Sequence, residues 1–132
     1  MSDVGIKSNR PLSPHLQIYK PIMTMVMSIV HRITGGALYF GTILVAWWLV
    51  AAAAGPDYFA LVNDIYGSIL GRLVLFGFTW ALVHHMLGGL RHFVWDMGYG
   101  FGREAREWMA KATIVASVVV TVLLWVVGYA VR

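Results

Sequence analysis

Three stretches of this chain run for 24, 18 and 20 residues without an Asp, Glu, Lys or Arg: Ile33 to Pro56, Leu73 to Leu90 and Ala112 to Val131. Each is close to the roughly 20 residues that a helix needs to cross the hydrocarbon of a bilayer. In hydrocarbon every backbone donor and acceptor must be satisfied within its own helix or in a closed barrel. Barrel strands alternate apolar and polar side chains, and these runs do not. The fold class that follows is an all-α membrane protein with three transmembrane helices. Composition agrees, since 59% hydrophobic and 12% charged residues leave too little polar surface to cover a soluble globule of 132 residues. The absence of Cys excludes disulfides, thiolate metal ligands and a covalent haem linkage, so any metal group must be held by His.

The chain reads as one membrane-anchor domain, 1–132, with helices expected over about 21–54, 68–95 and 110–131. Pro21 suits a first helical turn, and Ile22 to Val30 is almost wholly apolar. Turn residues Gly55, Pro56 and Asp57 mark the first connection, and Gly98 to Gly102 the second. The formal charge of +4 is concentrated beside the apolar runs, where it orients a membrane protein rather than binding nucleic acid. Lys7, Arg10 and Lys20 precede the first helix, and Arg103, Arg106 and Lys111 follow the second connection. The positive-inside rule therefore places the N-terminus in the cytoplasm and the C-terminus outside. Residues 1–20 lack the apolar core and cleavage site of a secretory signal and are expected to form a cytoplasmic segment. Without a transit peptide, a bacterial inner membrane is expected rather than a mitochondrial one.

The informative residues are those that a spanning helix should exclude. His31 and Arg32 lie about 10 residues, roughly 15 Å, inside the first helix, and His85 lies at a similar depth in the second. Arg near mid-span costs about 2.5–3.5 kcal/mol on the translocon scale, so it needs a partner or a polar cavity. Ser28, His31 and Arg32 stand at i, i+3 and i+4 and share one helix face, which Gly35 continues. On the second helix His85 and His92 are seven apart, with Gly88 and Gly89 between them leaving room for a second helix or a flat ligand. His84 is about 100° from His85 around the helix, so at most one of the two serves a given ligand. Haem suits this constellation, with imidazole for iron and Arg or protonated His for the propionates. Plainer readings stand beside it: intramembrane His is often only hydrogen-bonded to a neighbouring helix, and glycine pairs often only pack helices. Trp47, Trp48, Trp95, Trp108 and Trp125 read as interface anchors or packing residues, and Asp96 as a solvated helix-end charge.

Two motifs go further. Residues 10–36 contain RPLSPHLQIYKP and then SIVHRITGG, and the second helix ends in HMLGGLRHFVWDMGYG. Together they resemble the cytochrome b subunit family of succinate dehydrogenase, respiratory complex II. The pattern Arg-Pro-x-Ser-Pro-His-Leu, then Ser-x-x-His-Arg-x-Thr-Gly, then His-x-x-x-Gly-x-Arg-His-x-x-x-Asp is met in order from Arg10 to Asp96. The resemblance implies half of a haem-containing helical bundle, completed by a second hydrophobic anchor subunit. It implies His85 as axial ligand of a haem b shared with that subunit, and His31 and Arg32 at the propionates. Ser28 and Arg32 are implied to line the ubiquinone pocket beside an iron–sulfur subunit, which a flavoprotein subunit supplies with electrons from succinate. No role is implied for His84, His92 or Asp96. Two other functions remain open on the residues: a haem-free structural anchor of a fumarate reductase-type complex, and a small His-dependent proton or metal transporter. The transporter calls for more acidic membrane residues than the chain has.

Overall fold

A computed structural model describes residues 19–131, all in helices and short connections. The elements are α1 (Met23–Ala54), α2 (Pro56–Gly67), α3 (Ile69–Asp96) and α4 (Arg103–Ala130). Three of them, α1, α3 and α4, are long and apolar enough to cross a membrane. These three pack against one another, while α2 packs against α1 and α3. Lys7, Arg10 and His15 and the Arg10–Ile18 part of the first motif lie outside the described residues, as does Arg132.

Local chemistry sets the breaks between helices. α1 starts at Met23 rather than Pro21, because Ile22 is still extended (φ −81°, ψ 158°) and its carbonyl accepts from the Met25 and Val26 amides. Gly55, at φ 129° and ψ 169°, stops it in a conformation open only to glycine. Pro56 then opens α2, where its missing N–H costs nothing. The turn expected at Gly55–Asp57 is thus a boundary between two helices, and the segment after it is a 12-residue helix with Asp57 in its first turn, favourable to the helix dipole. Ser68 separates α2 from α3 by an extended residue whose hydroxyl accepts from the Gly71 amide at 3.1 Å. Gly71 sits against the carbonyls of Ile65 and Tyr66, where no side chain fits. α3 ends in the paired bonds of a glycine C-cap, Gly98 N–H to Trp95 O (2.8 Å) and Tyr99 N–H to Val94 O (3.1 Å), with Gly98 at φ 85°. α4 begins at Arg103, two turns earlier than the apolar run suggests. Its charged first turns are long-chained helix formers, and Arg103 pairs with Glu107 at 3.3 Å.

The interior is small and polar while the large apolar side chains face outward. Met27, Ala51, Val62, Ala81, Val83 and Ala110 are buried alongside Thr34, His84, Arg91, Thr113, Ser117 and Thr121. Ile33, Phe40, Ile43, Leu70 and Val115 are among the many large residues turned out. That inversion is how helices pack in lipid, where small residues let backbones approach and apolar surface gains nothing by burial. Phe78 of α3 lies against Gly41 of α1, one such close approach. Thr113, Ser117 and Thr121 line one face of α4 and donate to carbonyls of their own helix, at 2.8, 2.8 and 2.7 Å. At the α2 end, Trp47 Nε1–H donates to Tyr58, Trp48 Nε1–H to Asn63, and the Tyr66 hydroxyl to Leu44 O at 2.7 Å. Burial pushes the pKa of the Tyr66 hydroxyl above the usual tyrosine value.

Candidate functional site

Helical spacing puts His31 on the Ser28 face of α1, and the packing of α3 turns His85 towards that face, so the two imidazoles meet between the helices. Their rings stack with centroids 3.9 Å apart and planes 13° from parallel. Each ring also reaches the other helix's backbone: His85 Nδ1 lies 3.1 Å from His31 O, and His31 Nε2 lies 3.2 Å from His85 O. A carbonyl only accepts, so both ring nitrogens carry the proton. In neutral His85 this leaves Nε2 with the lone pair, the form in which imidazole binds a metal. Nε2 has no hydrogen-bond partner among the described residues. Thr34 completes the contact, its hydroxyl donating to His31 O at 2.9 Å and lying 3.4 Å from His85 Nδ1.

Two glycines make the stacking possible. A side chain at Gly35 would meet His85 Cε1 at 2.9 Å, and one at Gly88 would overlap the His31 ring. Gly36 and Gly89, the second member of each pair, face open space. The room expected at Gly88 and Gly89 together is therefore supplied at the site by Gly88 alone.

Beside the stacked pair opens a cleft of about 340 Å³ between α1 and α3. Ser28, His31 and Arg32 line it from α1, and Arg91, His92 and Trp95 from α3. Among the described residues no acidic one lines it. His92 meets His31 edge to face at 5.6 Å and Trp95 at 5.1 Å. Ser28 and Arg32 are exposed at the rim, on the outer face of the chain. Arg91 is the opposite case, 7% exposed, with its guanidinium 5.1 Å from the centroid of the Trp95 ring and without an ion pair among the described residues. Among the described residues its Nε has no hydrogen-bond partner, and neither has Trp95 Nε1.

The structure thus gathers Ser28, His31, Arg32 and His85 into one region and sends His84 elsewhere. His84 is 1% exposed, faces α4 at Ser117 (Nδ1 to Oγ 3.3 Å) and lies against Trp80. Asp96 is exposed and off the cleft. Sequence reasoning passed over Thr34 and Arg91. Thr34 was legible as the residue three beyond His31, and Arg91 as sharing a helix face with His84, Gly88 and Trp95 at spacings of four, three and four. Trp95, read as an interface anchor, is the cation–π partner of Arg91.

Three helices long and apolar enough to span a bilayer, burying polar groups and exposing apolar ones, define a multi-pass membrane protein. The family model for the succinate dehydrogenase/fumarate reductase transmembrane subunit matches residues 6–125. The succinate dehydrogenase cytochrome b556 subunit of Paracoccus denitrificans is 46% identical over 129 residues, 98% of this chain and 98% of that protein. The corresponding subunit of Rickettsia prowazekii is 40% identical over 92% of this chain and 94% of its own length. The succinate dehydrogenase cytochrome b560 subunit of Reclinomonas americana is 30% identical over 94% and 90%. The chain belongs to the family of succinate dehydrogenase/fumarate reductase transmembrane subunits.

Proposed function

We propose that this chain is the haem b- and ubiquinone-binding anchor of a succinate:ubiquinone oxidoreductase. The observation that carries the reading is the state of His85: its Nδ1 proton is committed to His31 O, which leaves Nε2 as a metal-binding lone pair. Haem would need only one imidazole from this chain, where a bare ion would need several protein ligands. His31 is stacked on His85, so His85 would be the residue of this chain that holds the iron, and a partner anchor subunit would contribute the other protein ligand. A carboxylate-bearing ligand also answers the excess of positive charge in the cleft, with His31 and Arg32 as its partners. Bound haem would supply a one-electron carrier.

Ser28 and Arg32 are assigned to ubiquinone. They share the cleft rim on an exposed face, where an iron–sulfur subunit, fed by a flavoprotein, would close the pocket. Reduction of a quinone builds negative charge on its carbonyl oxygens. A fixed guanidinium and a hydroxyl placed beforehand stabilise that charge without reorganising. The chain itself makes and breaks no bond of succinate. It binds, orients and electrostatically tunes, in an inner membrane with the N-terminus cytoplasmic.

Ser28→Ala and Arg32→Leu test this in the assembled complex. A hydrogen bond to a charge-developing oxygen is worth about 1.5–3 kcal/mol, roughly ten- to more than hundredfold in rate. Succinate oxidation by a dye that accepts electrons upstream should stay near normal, while ubiquinone reduction falls, more severely for Arg32→Leu. Normal quinone reduction in both variants would remove helix α1 from the quinone site.

A further inference from the structure

Arg91 is a cation buried inside a membrane helix bundle, and among the described residues nothing neutralises it. It is 7% exposed, its Nε is unpartnered, and its one specific contact is the Trp95 ring. The cleft it lines adds Arg32, His31 and His92 and no carboxylate. A guanidinium is charged at any accessible pH, so it cannot escape burial by losing its proton. An anion has to meet it there, and the planar fork of Arg matches a carboxylate two bonds at a time.

We propose that Arg91 is the principal anchor of a haem propionate, with His31 beside it, and that Arg32 is thereby released to the quinone. The inference rests on the haem reading above and revises its division of labour. Placement supports it. Arg91 is six residues beyond His85, about 9 Å further along α3, and it reaches the cleft that the His31–His85 stack opens into. Arg32 lies on the same cleft but is exposed, where it needs no internal counter-ion and is open to a group from outside the chain. A single guanidinium asked to hold both a propionate and a quinone would have to divide itself. Two guanidiniums, one buried and one at the rim, need not.

The test compares Arg91→Gln, Arg91→Lys and Arg32→Gln in the purified complex. Haem-to-protein ratio and haem midpoint potential are read alongside quinone reduction. Removing a cation that neutralises a propionate leaves the haem surroundings more negative and favours ferric iron. Arg91→Gln should therefore shift the reduced-to-oxidised ratio at fixed potential about tenfold towards oxidised, a fall of about 59 mV for this one-electron couple. Arg91→Lys should recover most of that shift, and Arg32→Gln should move the potential by less than half as much while depressing quinone reduction. If Arg91→Gln does not assemble, Arg91→Lys carries the test: it keeps the charge and loses the fork, so it should hold haem less firmly during gel filtration. Unchanged potential and unchanged haem retention in the assembled Arg91 variants would overturn the proposal. So would equal shifts in the Arg91 and Arg32 variants, or loss of a subunit at unchanged potential, which would assign Arg91 to a partner's carboxylate. A wild-type complex without a b-type spectrum overturns the haem reading and this one together. A haem-bearing wild type with neutral Arg91 variants overturns this one alone.

Discussion

The two glycine pairs offer a prediction with its own controls. An added methyl at Gly35 meets His85 Cε1 at 2.9 Å, and one at Gly88 overlaps the His31 ring and meets its Nε2 at 2.8 Å. Carbon atoms in ordinary contact sit about 3.5–4.0 Å apart, so at least one imidazole has to move by roughly half an ångström or more. Overpacking of this kind costs about 1–3 kcal/mol. Against it stands the gain in helix preference, about 0.8–1.0 kcal/mol for Gly to Ala. The net is about 0–2 kcal/mol of destabilisation at Gly35 and the upper part of that range at Gly88, where several ring atoms are struck. At Gly36 and Gly89 no atom lies within 4 Å, so only the helix gain remains and Ala should be neutral to stabilising by up to about 1 kcal/mol. The assay is thermal unfolding of the detergent-solubilised complex with a visible spectrum at each temperature. Gly88→Ala and Gly35→Ala should melt earlier and disturb any haem signal, while Gly89→Ala and Gly36→Ala should not. If the two members of each pair behave alike, the histidine stack does not exist in the assembled protein.

Three further outcomes are expected. His85→Ala should abolish the low-spin haem spectrum, while His84→Ala, which loses only its contacts with Ser117 and Trp80, should keep it; the reverse pattern would exchange their roles. A topology reporter fused after Arg132 should read periplasmic and one at Gly102 cytoplasmic, and the opposite readings would invert the orientation. Tyr66→Phe removes the hydroxyl bond to Leu44 O and should cost about 0.5–1.5 kcal/mol, seen as faster amide exchange confined to α2 and its seat on α1; unchanged exchange there would show that the bond is idle.

The spanning helices were legible because lipid imposes length and polarity on a segment whatever it packs against. α2 was not. Its 12 residues mix Asp57, Asn63 and Asp64 with Tyr58, Phe59 and Val62, and its helical start is signalled only by Pro56 following a glycine, which also reads as a turn. The two extra turns of α4 were hidden for a related reason: charges end an apolar run but do not end a helix. At the site, spacing alone grouped Ser28, His31 and Arg32, since helix periodicity is a property of the chain. Which of His84 and His85 meets α1, which glycine of each pair is filled, and that Arg91 turns inward depend on how far each helix rotates about its axis. That rotation is set by neighbours, so no local pattern could carry it.

The hydroxyls of Thr113, Ser117 and Thr121 close on carbonyls of their own helix, so α4 can leave the translocation machinery for lipid with those three groups already satisfied. α3 cannot. Its His84 waits on Ser117, its His85 on His31 and its Arg91 on a charge from outside the helix. Biogenesis of this subunit is therefore asymmetric. α4 brings its core hydroxyls into the bilayer already closed, whereas α1 and α3 each carry a histidine that waits on the other's backbone, so a fault in their pairing would be felt first as failure to retain those two helices together.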